Sequence, residues 1–191
     1  MKNPLISLLA LAALHAAPEP IFNGKNLDGW KVEGGEYWTV EDGVLTGESD
    51  DKKKNSLLWT EKEYTDFTLE AEFRFEGHVD SGFFLRNAND QIQIGISGSL
   101  KRDMTGSPYI ASKGKYPEEA EGVAKLLKEG EWNNMKITAK GKTYTVELNG
   151  RKVLEYESDT ATEKGPVGLQ VHPGLMMKIE FRDLKIEELK G

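Results

Sequence analysis

Residues 67–75 read Phe-Thr-Leu-Glu-Ala-Glu-Phe-Arg-Phe, an apolar/polar alternation sustained over nine residues. Period two puts Phe67, Leu69, Ala71, Phe73 and Phe75 on one face of an extended strand, and Thr68, Glu70, Glu72 and Arg74 on the other. The pattern continues in both directions. Upstream, Tyr37–Val40 and Val44–Thr46 flank Glu41-Asp42-Gly43, with Gly where a tight turn needs positive φ. Downstream come 82–86, 91–97, 134–140 and 144–148, then Asn149-Gly150 as a hairpin turn into 153–156, and finally 167–171 and 177–186. About ten short strands, with turn signals every ~8–12 residues, predict an all-β chain folded as an antiparallel sandwich or barrel.

The remaining arithmetic fits that class. The 191 residues suit one domain and bury enough surface to need no covalent staples. There is no cysteine, so disulfides, thiolate metal ligation and thiol nucleophiles are excluded. A net charge of −7 argues against nucleic acid or an anionic membrane as partner, since both call for a basic surface. Residues 1–17 combine Lys2, an apolar run from Pro4 to Leu14 and the small residues Ala16 and Ala17. That is the layout of a secretory signal peptide, too short to span a bilayer. The expected organisation is therefore a signal peptide at 1–17 and a single β-sandwich domain at 18–191, exported to the periplasm or the medium.

One stretch breaks the period. Residues 98–131 contain no good strand, and Pro117–Lys128 carries the signals of a short helix opening on Pro. So long an excursion inside a β domain is the usual form of a lid or binding loop. A surface decoration is the plainer alternative.

With the apolar partners assigned to the core, four strands present a second face. It carries Glu70 and Glu72; Gly82, Phe84 and Arg86; Gln91, Gln93, Gly95 and Ser97; and Gly168, Gln170 and His172. Glycine inside strands is costly unless something approaches the backbone closely. Amides that both donate and accept, with arginine and one aromatic, suit the hydroxyls of a sugar. A carbohydrate groove on a concave sheet is the leading expectation, and a solvated outer face with ion pairs is the alternative.

The chain also resembles a secreted bacterial family of 3-keto-disaccharide hydrolases, or 3-keto-glycoside lyase-hydratases, with a concanavalin-like jelly-roll fold. The resemblance runs in order over about 20–190. It rests on Ile21–Trp30, Trp38–Leu45, Leu58–Lys62, Phe67–Phe75, Ser81–Arg86, Glu131–Asn133, Leu148–Gly150, Gly165–His172 and Glu180–Leu184. It implies two antiparallel sheets with 98–131 as a lid-like insertion. It also implies cleavage of a 3-keto-glycoside by removal of the C2 proton, β-elimination of the C1 substituent and hydration, a net hydrolysis. Such chemistry needs a base, an acid and a donor or cation facing the enolate. His172, Glu72 and Arg86 are the expected catalytic group. Glu70, Phe84, Gln91, Gln93, Ser97, Lys101, Asp103, Tyr109 and Gln170 are the expected sugar-binding set, with Lys113 also placed on the lid. The chain departs from the family pattern at Gln91, where an acid is usual, and at Gly95, near a usual aspartate. The segment 100–110 then either supplies replacements or marks a subgroup with another substrate.

Two rivals stand beside this reading. An ordinary glycosidase needs two carboxylates at a defined separation, and Glu70 and Glu72 share one strand face. A non-catalytic carbohydrate-binding module needs exposed aromatics, for which Trp30, Trp59, Tyr109 and Tyr116 are candidates, Trp38 and Trp132 being assigned to the strand-edge core. No cofactor is expected. A calcium-like divalent ion held by carbonyl and aspartate oxygens is the one metal the sequence leaves open. His78 and Asp80 are read as turn residues.

Overall fold

The computed structural model describes residues 17–190. The apolar leader expected at 1–17 therefore lies, but for Ala17, outside the described residues. In chain order the strands are β1 Glu19–Pro20, β2 Trp30–Gly34, β3 Trp38–Glu41, β4 Val44–Glu48, β5 Ser56–Tyr64, β6 Phe67–Phe75 and β7 Asp80–Leu85. They continue as β8 Asp90–Gly95, β9 Pro108–Ile110, β10 Asn133–Lys140, β11 Thr143–Leu148, β12 Arg151–Glu157, β13 Gly165–Val171 and β14 Lys178–Glu188.

The strands form two antiparallel sheets. One runs β12-β11-β10-β6-β14-β4-β3, with β1 paired to β14; the other runs β2-β5-β13-β7-β8-β9. The expected all-β jelly-roll sandwich is the fold observed. Phe67, Leu69, Ala71, Phe73 and Phe75 of β6 all point inward and are buried, as the period requires. They meet Phe83, Leu85, Ile92, Ile94, Val167, Leu169 and Val171 from the facing sheet in one continuous core. The turn between β11 and β12 carries positive φ at both Asn149 (49°) and Gly150 (76°), the primed turn that matches strand twist.

Residues 98–131 depart from expectation. Residues 108–110 are a strand, β9, which extends the six-stranded sheet by pairing Gln91 with Tyr109. The helix expected in 117–128 is reduced to one 3-10 turn at Val123–Lys125. Gly122, at φ 73°, sits in the left-handed region and interrupts any helix running on from Pro117. The segment is also tied down. Ala120 N donates to Ser107 Oγ, Glu121 N to Val153 O, and Asn149 Nδ2 to Leu126 O.

Candidate functional site

Strand register builds the site. Across the six-stranded sheet, Lys31 is opposite Trp59, Trp59 opposite Gly168, Gly168 opposite Phe84, Phe84 opposite Gln91, and Gln91 opposite Tyr109. One row of side chains on the face away from the core thus crosses all six strands. A second row, two residues along each strand, holds Leu57, Gln170, Gly82 and Gln93. Further along again lie Asn55, His172 and Asp80. From these rows Phe84, Gln91, Leu57, Gln170, Gln93, Asn55, His172 and Asp80 floor a groove of about 720 Å³, walled on one side by Ser97, Gly98, Lys101, Tyr109 and Tyr116 and on the other by Pro173, Gly174 and Leu175.

The polar groups in the groove are held by one another. Asp80 is buried, and its two carboxylate oxygens accept from Gln93 Nε2 (2.8 Å) and from the Gly98 amide (2.7 Å). Gln91 Nε2 donates to Gln170 Oε1 at 2.8 Å. Glycine makes room for this: a Cβ on Gly82 would lie 2.9 Å from the Gln91 amide nitrogen and 2.4 Å from Ile92 O. His172 is the half-exposed member. Its Nδ1 is 2.8 Å from Pro173 O, so that nitrogen carries the proton and donates. In the neutral ring Nε2 is then the lone-pair nitrogen, and it lies 3.9 Å from Asp80 Oδ2. The Tyr116 ring packs at 5.1 Å on Tyr109. Burial pushes its hydroxyl up to about 12, with a Ser97 hydrogen bond opposing and the Asp80 charge assisting.

The expected site residues divide between this groove and other places. Phe84, Gln91, Gln93, Ser97, Lys101, Tyr109, Gln170 and His172 line it. Glu70 and Glu72 do not. They lie on the outer face of the opposite sheet, because β6 belongs to the eight-stranded layer. There Glu72 accepts from Arg182 Nε and pairs with it. Glu70 accepts from Asn134 Nδ2 at 3.0 Å and faces Lys185 Nζ at 3.5 Å. Arg86 is likewise displaced. Alternation stops at Leu85, and φ 65° at Arg86 turns the side chain away from the groove. It is buried, and its guanidinium donates to the carbonyls of Thr162 (2.8 Å), Glu163 (3.2 Å) and Gly141 (2.8 Å). It therefore clamps two loops and is out of reach of a groove ligand. Asp103 is spent within its own turn, accepting from Thr105 Oγ1 at 2.6 Å. Lys113 pairs with Asp159 at 2.5 Å.

The aromatic expectations divide in the same way. Trp30 is buried and donates its indole N–H to Ile21 O, so it cannot stack on a sugar. Trp38 is core, as expected. Trp132 is not: it lies between the guanidiniums of Arg74 (4.6 Å) and Arg182 (4.2 Å).

Asp80, His78, Asn55 and Leu57 also line the groove, and sequence reasoning missed them as site residues. For Asp80 the signal was present. It shares parity with Gly82 and Phe84, and extending the strand back by two residues places it on the same face. Among the described residues, no three His, Asp or Glu side chains converge as a metal-ligand set.

A family model described as the 3-keto-alpha-glucoside-1,2-lyase-like domain matches residues 17–187. A "putative glycosyl hydrolase" of Parabacteroides distasonis superposes with a TM-score of 0.72 at 28% identity, over 91% of this chain and 100% of that one. A second from the same organism gives 0.70 at 22% identity, over 91% and 94%. Carbohydrate-binding module CBM66 of Bacillus subtilis shares the fold, with a TM-score of 0.60 at 17% identity over 84% and 96%. No curated protein matches the chain significantly.

Proposed function

As the chain belongs to the 3-keto-alpha-glucoside-1,2-lyase-like family, and is thereby carbohydrate-active, we propose that it cleaves 3-keto-glycosides in the groove floored by Gln91, Gln93 and Gln170. The observation that carries this reading is the pairing of His172 Nδ1 with Pro173 O, which leaves a basic Nε2 beside a buried carboxylate in a sugar-sized groove.

The chemistry follows from the groups present. A ketone at C3 acidifies the C2 hydrogen, and His172 Nε2 removes it as general base. Asp80 balances the imidazolium that forms. Lys101 is the lysine that lines the groove, and it takes the role of cation for the enolate oxygen that Arg86 cannot fill. The electron pair from C2 expels the C1 substituent. Tyr116, held protonated by its raised pKa, gives its proton to the departing oxygen. Hydration reverses the roles: the imidazolium of half-exposed His172 exchanges its proton with solvent, Tyr116 takes a proton from water as the hydroxyl adds to C1, and His172 gives the solvent-derived proton to C2. The glutamines orient the sugar hydroxyls, Gln93 being oriented in turn by Asp80. We likewise read the chain as an exported protein, periplasmic or secreted, on the leader-like residues 1–17.

The test offers purified protein a 3-keto-glucoside and its unoxidised parent, with released aglycone followed by mass spectrometry. Release from the keto sugar alone is the expected result. Release from the parent identifies an ordinary glycosidase, and release from neither identifies a binding module.

A further inference from the structure

Just beyond the stretch of groove lined by Phe84 stands an aromatic pair that the elimination chemistry leaves unused. Trp59 and Phe84 pack with ring centroids 5.4 Å apart. A Cβ on Gly168 would lie 2.4 Å from the Trp59 ring, so the indole lies directly over the bare backbone of β13. Its N–H donates to Glu33 Oε2 at 3.1 Å, which fixes its orientation from the neighbouring strand β2. The ring is packed below and along one edge, tethered at its nitrogen, and still only half-buried. A core tryptophan would be covered, and a casual surface one would not be held at three points.

The position is as informative as the geometry. Trp59 is opposite Gly168, four residues along β13 from His172. At about 3.3 Å per residue the platform stands roughly 13 Å from the base, with the Gln170 row between them. A glycone seated over the glutamines with its C2 at His172 must send its C1 substituent along the groove or out of it. Phe84, which lines the groove, joins its floor to Trp59.

We infer that Trp59, supported by Gly168, Phe84 and Glu33, is a stacking subsite for the leaving group, and that the preferred substrates carry a ring there. The chemistry recognised is a flat apolar ring face, which either a second pyranose or an aromatic aglycone supplies. Trp59 is a positioning residue and touches no reacting atom. This inference rests on the glycone site proposed above.

The experiment uses the full chain and three 3-keto-glucosides differing only in aglycone: methyl, phenyl and glucosyl. Trp59→Ala should raise KM for the ring-bearing substrates by about tenfold, the upper end of what an aromatic contact adds, and leave the methyl glucoside within about twofold. Whichever of phenyl and glucosyl loses more identifies the natural class of leaving group. Glu33→Ala, an exposed change that frees the indole, should give a smaller loss with the same selectivity and an unchanged melting temperature. Equal losses on all three substrates, or none on any, overturn the subsite. Calorimetry with unoxidised phenyl and methyl glucosides separates the two claims. Wild-type protein that binds phenyl more tightly, with the advantage lost in Trp59→Ala, supports the subsite even if no keto sugar is cleaved. No advantage of either the phenyl or the glucosyl substrate over the methyl one, in binding or turnover, overturns it even if the keto sugars are cleaved.

Discussion

His172 Nε2 and Asp80 Oδ2 stand 3.9 Å apart although they come from β13's end and β7's start, 92 positions apart in the chain. Neither is explained by packing. His172 is half-exposed, while Asp80 is buried and accepts from Gln93 and Gly98. The pair joins a titratable ring to the network that holds the groove's amides. His172→Gln should therefore lower turnover of a 3-keto-glucoside by roughly 10²–10⁴-fold, the usual worth of a general base. Chemical denaturation should move by no more than about 0.5 kcal/mol, as for other solvent-exposed changes.

Asp80→Asn tests the support rather than the base. An amide offers one acceptor oxygen where two donors now converge, so either Gln93 or the Gly98 amide faces an N–H₂. The expected result is a stability loss of about 1–3 kcal/mol, with a raised KM as Gln93 loses its orientation. Urea melts and steady-state kinetics on one preparation read both.

Glu72→Gln should leave turnover unchanged. Glu72 sits on the opposite sheet's outer face, where Arg182 also packs at 4.2 Å on Trp132. The half-exposed Glu72–Arg182 pair is worth at most about 1 kcal/mol after solvent screening. Loss of activity in this variant, with the fold intact, would return the carboxylates of β6 to the chemistry.

Arg86→Met should be severe for folding and neutral for chemistry. It removes the donor to three loop carbonyls. The cost is on the order of 3 kcal/mol or more, since buried acceptors are left without partners. Whatever folds should retain the wild-type KM. Differential scanning calorimetry and activity per folded molecule separate the two effects.

Alkaline pH should unfold the protein in a defined window. Burial pushes the Tyr116 hydroxyl up to about 12. Tyr144 is pushed up as well, first by burial and then by the charge of Asp90, which accepts its hydrogen bond. Both stay protonated in the folded chain at pH values where an unfolded tyrosine, near 10, ionises. Both contributions are complete below about pH 10; that of Tyr116 is lost as pH rises from about 10 through about 12, and that of Tyr144 continues to fall beyond it. Urea midpoints measured across that range should fall, and Tyr116→Phe should make the fall shallower.

Alternation along β6, β8 and β13 made the sandwich legible from sequence, because each strand has one buried face and period two assigns it without ambiguity. The same rule found Phe84, Gln91, Gln93, Gln170 and His172. It failed in two ways. Alternation assigns a face within a strand but not the sheet a strand joins, so Glu70 and Glu72 were credited to the groove though β6 is in the other layer. It also assumes that the strand continues, and at Arg86 a positive φ ends it. Asp80 was lost to the opposite error, a strand begun two residues too late after a glycine-rich turn. The interior glycines were rightly read as close approaches. At Gly82 and Gly168, however, the approaching groups are Gln91 and Trp59 of the protein itself.

On this mechanism a proton leaves C2 before the C1 substituent departs and water adds in its place. A 3-keto-glucoside carrying deuterium at C2, turned over in ordinary water, tests it most directly. The account predicts product without that deuterium, beyond any loss in protein-free controls, and no such loss with His172→Gln. Product that retains deuterium at C2 while the wild-type protein releases the aglycone at full rate would contradict it.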